Sequence, residues 1–335
     1  MAISPLDLKW CYAQKRDKER PAANGGRPSN IQIASGVEGN IWPSVTTAQR
    51  VSGITQAEKV FCKNANLLNE AGMNPWMALS IPNKTDEYEY IIAADQDKTQ
   101  DQLTGSERRY TASSLGQNAI AGSKQLVLSL DHPSLADCYQ AGDEVVIYNS
   151  SLSLANTSCV YEIVHVDTVS TSGSACTLHL ATALQHSYQA SNGLVAGVMQ
   201  TRKPFAPWVD PAQQSGTGTY DFLAHPLVLD NIGTIRQDWT LTYNDGDTLN
   251  VTGDTLGSLG NFSIAGDIAP QNVQFSKPYF TLDAGGHGSA HVNGDTITFS
   301  TYASMLGLWW FKVVPPNCGT IPLTNSKVVC MLETG

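Results

Sequence analysis

His287 and His291 stand four residues apart between Asp283 and Asp295, the densest gathering of metal-ligating side chains in the chain. In a helix that spacing would put both imidazoles on one face, ready to share a metal. Gly285, Gly286 and Gly288 mark a polar loop tip instead, so no metal is expected there. The sequence has no G-x-S-x-G elbow, no phosphate-cradling G-x-x-x-x-G-K-[ST], no H-E-x-x-H and no EF-hand loop. Paired acids for glycoside hydrolysis are defined in space, so 30 acidic residues leave that chemistry open. Trp208, Trp239, Trp309 and Trp310 could stack on sugars. Trp309 and Trp310 are adjacent, and in a strand they must face opposite ways. One is then core, and the other is core or a partner surface. No catalytic residue and no cofactor is expected.

The elements that would carry these residues read as strands. Ala57–Cys62, Trp76–Ile81 and Tyr88–Ile92 form a first β-rich domain over 31–122, closed by a polar loop or short helix from Ala93 to Gly122. Five short strands between Gln125 and Met199 give a small barrel-like module over 123–203. About seven more, from Trp239–Tyr243 to Lys327–Leu332, fit a sandwich over 204–335. Residues 1–30 read as an extended arm, with Trp10 and Tyr12 at one end and Gly25-Gly26 at the other. Gly142-Asp143, Gly246-Asp247 and Gly294-Asp295 read as hairpin turns. The fold class is all-β: an arm plus about three sandwich- or barrel-like modules.

Charge divides unevenly. The first 124 residues hold 14 of the 20 basic and 13 of the 30 acidic residues, and none of residues 125–201 is Lys or Arg. Head-to-tail packing is one reading, with the basic front of one copy on the acidic rear of the next. A formal charge of −10 argues against wrapping nucleic acid. No apolar run reaches the roughly 18–20 residues of a membrane span. The opening residues carry no charged stretch ahead of an apolar one, so no secretory signal is expected. Seven widely spaced cysteines without C-x-x-C suggest reduced, mostly buried thiols in a cytoplasm, making the sequons at Asn83 and Asn156 chance matches.

Two stretches resemble tailed-bacteriophage virion structural proteins. One is Gly36–Asn64, with a Trp42-Pro43 turn, Arg50, a Gly53-Ile54-Thr55 step and a basic-aromatic strand ending in Asn64. The other comprises Pro278-Tyr-Phe-Thr, Gly294-Asp-Thr-Ile-Thr-Phe and Leu308-Trp-Trp-Phe-Lys-Val-Val-Pro-Pro-Asn317. The match departs at Gln56-Ala57, where a Tyr-Arg pair would stand. The resemblance implies a non-enzymatic component of the virion, made in the host cytoplasm and assembled in several copies in a tail, baseplate or neck ring. Its partners would be copies of itself and other virion proteins, with no membrane and no direct nucleic acid. The interface candidates are Trp10, Tyr12, Ile41, Trp42, Pro43, Trp309 and Trp310. A glycan- or receptor-binding tail protein and a capsid decoration protein are the alternatives.

Overall fold

The charged stretch ending at Arg20 turns the chain back on itself, with the Asp17 amide donating to the Ala23 carbonyl at 3.1 Å. In the computed structural model, which describes residues 3–37, 39–81, 87–149, 154, 158–201, 204–288, 291–319 and 326–333, β1 (Leu8–Arg16) and β2 (Asn24–Gln32) form a hairpin. β1 pairs on its other edge with β3 (Ile54–Asn64), from Leu8 opposite Asn64 to Tyr12 opposite Val60. The stretch expected as an arm is therefore two strands of a sheet. Between β2 and β3 comes α1 (Thr47–Ser52), capped by Thr46 and Gln49 in a reciprocal box. Then follow β4 (Met73–Ile81), β5 (Tyr88–Ala94) and β6 (Arg109–Tyr110).

The second module is a closed barrel. Its strands are β7 (Ala112–Leu115), β8 (Gln125–Ser129), β9 (Glu144–Asn149), β10 (Tyr161–Ser172), β11 (Ala175–Leu180) and β12 (Gly193–Gly197), joined in the order β10-β11-β8-β7-β12-β9. Alternation fills the interior, with Leu126 and Leu128, Val164 and Val166, and Cys176 and Leu178 pointing inward. β7 falls in the stretch expected as loop or short helix. Its Ser113 is buried and accepts a hydrogen bond from the Tyr139 hydroxyl at 2.9 Å, a partner no local pattern announces.

β13 (Met199–Gln200) returns to β4. The third module begins with β14 (Trp208–Val209) and β15 (Gln213–Ser215). It continues through β16 (Gln237–Tyr243), β17 (Thr248–Gly253), β18 (Gly257–Ser263), the short pair β19 (Gln271–Asn272) and β20 (Lys277–Pro278), and β21 (Thr296–Tyr302). The sheet order is β14-β21-β16-β17-β18, with β15 also against β21. Trp239, Leu241, Leu249, Val251, Phe280 and Phe299 make its core. The turn before β17 is organised by Asp245, which accepts from the amides of Asp247 and Thr248. Asp295 instead accepts from Thr217, Gly218 and Val292, so it fastens a distant loop as well as its own turn.

The expected sandwich over 204–335 stops at Tyr302. β22 (Met305–Val314) crosses back and inserts between β3 and β5, giving the order β2-β1-β3-β22-β5-β6. β23 (Lys327–Glu333) pairs with β4. β22 is apolar on successive residues, Leu308-Trp309-Trp310-Phe311, which suits a central strand covered on both faces and not an alternating half-exposed one. Val60, Cys62, Leu308 and Trp310 pack against Met77, Leu79 and Val329 of the β13-β4-β23 layer. No helix among the described residues is long and apolar enough to cross a membrane.

Charges lock the third module to the first. Arg27 of β2 meets both Asp254 oxygens at 3.0 and 2.7 Å, Asp238 at 3.2 Å and Asp97 at 3.2 Å. Arg236 holds Asp97 at 2.8 Å and Asp238 at 2.6 Å. Such forked, shared contacts hold geometry better than isolated surface pairs. Arg27→Ala leaves Asp238 and Asp254 facing each other without their shared cation. It is expected to lower stability by about 2 kcal/mol. Urea unfolding should show this deficit shrinking in high salt, which screens the acids.

Candidate functional site

One face of the first sheet collects most of the aromatic residues singled out in the sequence. Period-two alternation puts Trp10 and Tyr12 of β1 beside Cys62 and Val60 of β3, and Trp310 of β22 opposite Glu58. The loop before α1 closes over them. Trp42 meets Trp310 edge-on at 5.7 Å between ring centres, and Ile41 packs on the same cluster. The Tyr12 hydroxyl donates to the Asn40 carbonyl at 2.8 Å, and the Arg16 guanidinium lies over the Tyr12 ring at 3.5 Å. Pro43 is exposed beside this cluster. Trp309 points to the opposite face, against Gly25 and Lys59. Trp309 and Trp310 do face opposite ways, and both are covered by their own chain, at 1% and 7% exposure.

Beneath the aromatics lie three carboxylates that sequence reasoning passed over. Glu58, Glu87 and Glu89 are all buried. Arg16 and Lys18 approach Glu58 at 3.1 and 2.8 Å, while Lys312 and Arg50 approach Glu87 at 2.6 and 3.4 Å. Glu89 accepts from the Trp310 indole at 3.0 Å and the Ser326 hydroxyl at 2.7 Å. Burial raises its carboxyl to about 7, against the lowering effect of those two hydrogen bonds. On the other face, burial lowers the Lys59 amine to about 8. It donates to the carbonyls of Gly26 at 2.9 Å and Lys98 at 2.8 Å. The one available signal was charge at mid-strand, Glu58-Lys59 between apolar neighbours, which demands internal partners.

Glu89 has the acidity of a general acid or base, but Trp310 and Ser326 occupy its two oxygens and it is 3% exposed. Its raised pKa means the folded chain keeps a proton that the unfolded chain releases above 4.5. Stability from this group is therefore full below 4.5 and is lost as pH rises through about 7, by on the order of 3 kcal/mol. Glu89→Gln removes the titration while its carbonyl still accepts from the Trp310 indole and its amide NH2 donates to the Ser326 hydroxyl oxygen in place of the second acceptor contact. Chemical unfolding across this range should show the variant gaining on the parent as pH rises; an unchanged difference would refute the assignment.

His287 is half-buried and His291 buried, both set against Tyr243 of the third module. His291 is buried and stacks on Tyr243 at 3.7 Å, and the Tyr243 hydroxyl lies 3.0 Å from His287 Nδ1. Burial lowers His287 to about 4, helped by the neighbouring His291. Among the described residues no group of three or more His, Cys, Asp or Glu is arranged to hold a metal. Trp239 is in the core and Trp208 stacks on Tyr302 at 3.6 Å. A shallow cleft of about 260 Å³ lies where Asp131 and His132 of the barrel face Pro315–Cys318. His132 is held there by stacking on Tyr88 at 4.4 Å. The sequons at Asn83 and Asn156 lie outside the described residues.

No protein-family model matches this chain, and no curated protein matches it significantly.

Proposed function

We propose that the chain is a structural component of a tailed-phage virion, assembled in several copies into a tail, baseplate or neck ring. One observation supports this above others. The last piece of the second stretch, Leu308–Val314, lies far from the first stretch in sequence and beside it in the fold. β3 and β22 pair without a break from Met305 opposite Lys63 to Val314 opposite Ile54, and Trp42 seats on Trp310. Resembling segments that are distant in sequence and pair in space are what a common fold would leave. The glycan-binding alternative draws less support, since Trp239, Trp309 and Trp310 are enclosed and a sugar stacks only on an open ring. Mass spectrometry of purified particles, with heads and tails separated, tests the proposal: the chain is expected in the tail fraction, and its absence from particles refutes it.

Subunit contact needs apolar surface outside the core, and one region supplies it. Ala65 donates to the Asp7 carbonyl at 2.8 Å, tying the 65–68 turn to the start of the chain. Leu6, Leu67 and Leu68, exposed at 79%, 71% and 62%, flank that tie. Leu67→Asp with Leu68→Asp is expected to abolish higher oligomers in sedimentation while leaving the unfolding midpoint unchanged, because neither side chain supports the monomer. Oligomers of undiminished size in a folded variant would remove this region from the assembly surface.

A further inference from the structure

Lys312 of β22 stands directly opposite Glu89 of β5, and Trp310, two residues earlier, shares its face. Glu87 comes two residues before Glu89 and is reached from that same face, with Lys312 Nζ 2.6 Å from its Oε2. Both side chains of this pair are largely enclosed. Arg50 approaches the other Glu87 oxygen at 3.4 Å. The Trp310 indole and the Ser326 hydroxyl fix Glu89, each bonding one of its oxygens and leaving a second lone-pair direction on each. An amine, a carboxyl and a second carboxyl thus meet out of water on one face of the sheet. Lys18 approaches Glu58 almost as closely, at 2.8 Å, but with Arg16 beside it rather than another carboxyl.

We propose that Lys312 and Glu87 condense to an intramolecular isopeptide bond, with Glu89 moving the protons, so that β22 is fastened covalently to the start of β5. Glu89 in its acid form gives its proton to the Glu87 carboxylate, then takes one from the Lys312 ammonium. The freed amine attacks Glu87 Cδ, while the Arg50 guanidinium faces an oxygen on which negative charge develops. Glu89 carries a further proton from the nitrogen to the departing hydroxyl, which leaves as water. One ammonium and one carboxylate become one amide and one water, and Glu89 ends protonated as it began. No second molecule is consumed. Burial raises the Glu89 carboxyl to about 7, so near neutrality it can both give and take a proton. Two physical features favour the bond. The fold holds the reacting groups in contact, which replaces an encounter between separate molecules. A buried ion pair also carries a desolvation cost that a neutral amide does not.

Intact mass spectrometry of the folded full-length protein, held at neutral pH and sampled over time, tests this. The expected mass is that of the sequence less one water, with a branched peptide joining Lys312 to Glu87 after proteolysis. Lys312→Arg keeps a cation opposite Glu89 but supplies no attacking amine, so it should hold the full mass; Lys312→Met serves if the arginine variant misfolds. Glu89→Gln should slow the loss of water about a hundredfold or more. A parent chain that keeps its full mass through prolonged incubation overturns the proposal. So does a link mapped to another pair in place of this one, Lys18 with Glu58 included, or a Lys312–Glu87 link that forms at an undiminished rate in Glu89→Gln.

Discussion

Deleting residues 1–30 is expected to destroy cooperative folding of the first module, not merely to weaken assembly. The deletion strips β1 and nearly all of β2 from β3. Val60 and Cys62 lose the cover of Tyr12 and Trp10. Glu58 loses Arg16 and Lys18 together, leaving a buried carboxylate without a cation, a change worth roughly 3–5 kcal/mol by itself. Lys59 loses the Gly26 carbonyl, and the third module loses Arg27. Typical domain stability is about 5–15 kcal/mol, which these losses together exceed or match. Near-ultraviolet circular dichroism and urea unfolding of the truncated chain should show no native transition for this module. A sharp transition at the parent's midpoint would restore the picture of a detachable arm.

That arm shows where sequence reading stops. Alternation identified β8, β11, β16, β17 and β21 directly, because a half-buried strand writes its period into its residues. It carried less information about partners. β22 was legible as a strand and its two indoles as facing apart, yet no local feature says that it leaves the third module to pair with β3 and β5. β7 was invisible because four residues, two of them serine, become a buried strand only when the barrel closes around them. Charge behaved in the same way. The basic front and acidic rear do complement each other, but within one chain: Arg27 holds Asp238 and Asp254, while Arg108 and Arg109 hold Asp143 and Asp137 of the barrel. Four acids of the rear half are met in this way by cations of the front half of the same chain. At the candidate site, the aromatic residues were visible by type. The carboxylates were not, because Glu58, Glu87 and Glu89 gain their meaning from cations and an indole that arrive from distant strands.

Gly25→Ala is a point substitution expected to cost several kcal/mol, on the order of the strain and overpacking it introduces. Gly25 has φ +98°, a backbone region that L side chains rarely adopt. An added Cβ would lie 2.5 Å from Trp309 Cη2, 2.7 Å from its Cζ2 and 3.1 Å from the Lys98 carbonyl. Trp309 cannot swing away, since it is 1% exposed and packed with Ala57, Ile92 and Phe311. Backbone strain of about 1–3 kcal/mol and overpacking of about 1–3 kcal/mol add to an expected loss near 4 kcal/mol. The two contributions can be separated. Trp309→Leu shortens the side chain beneath Gly25 and is itself destabilising through the cavity it leaves. In the double variant the clash disappears while the strained φ remains. The combined loss should therefore fall short of the sum of the single losses by about the overpacking share. Strict additivity in urea unfolding would mean that Gly25 is required for its backbone alone, and that its contact with Trp309 contributes nothing to the junction between β2 and the sheet.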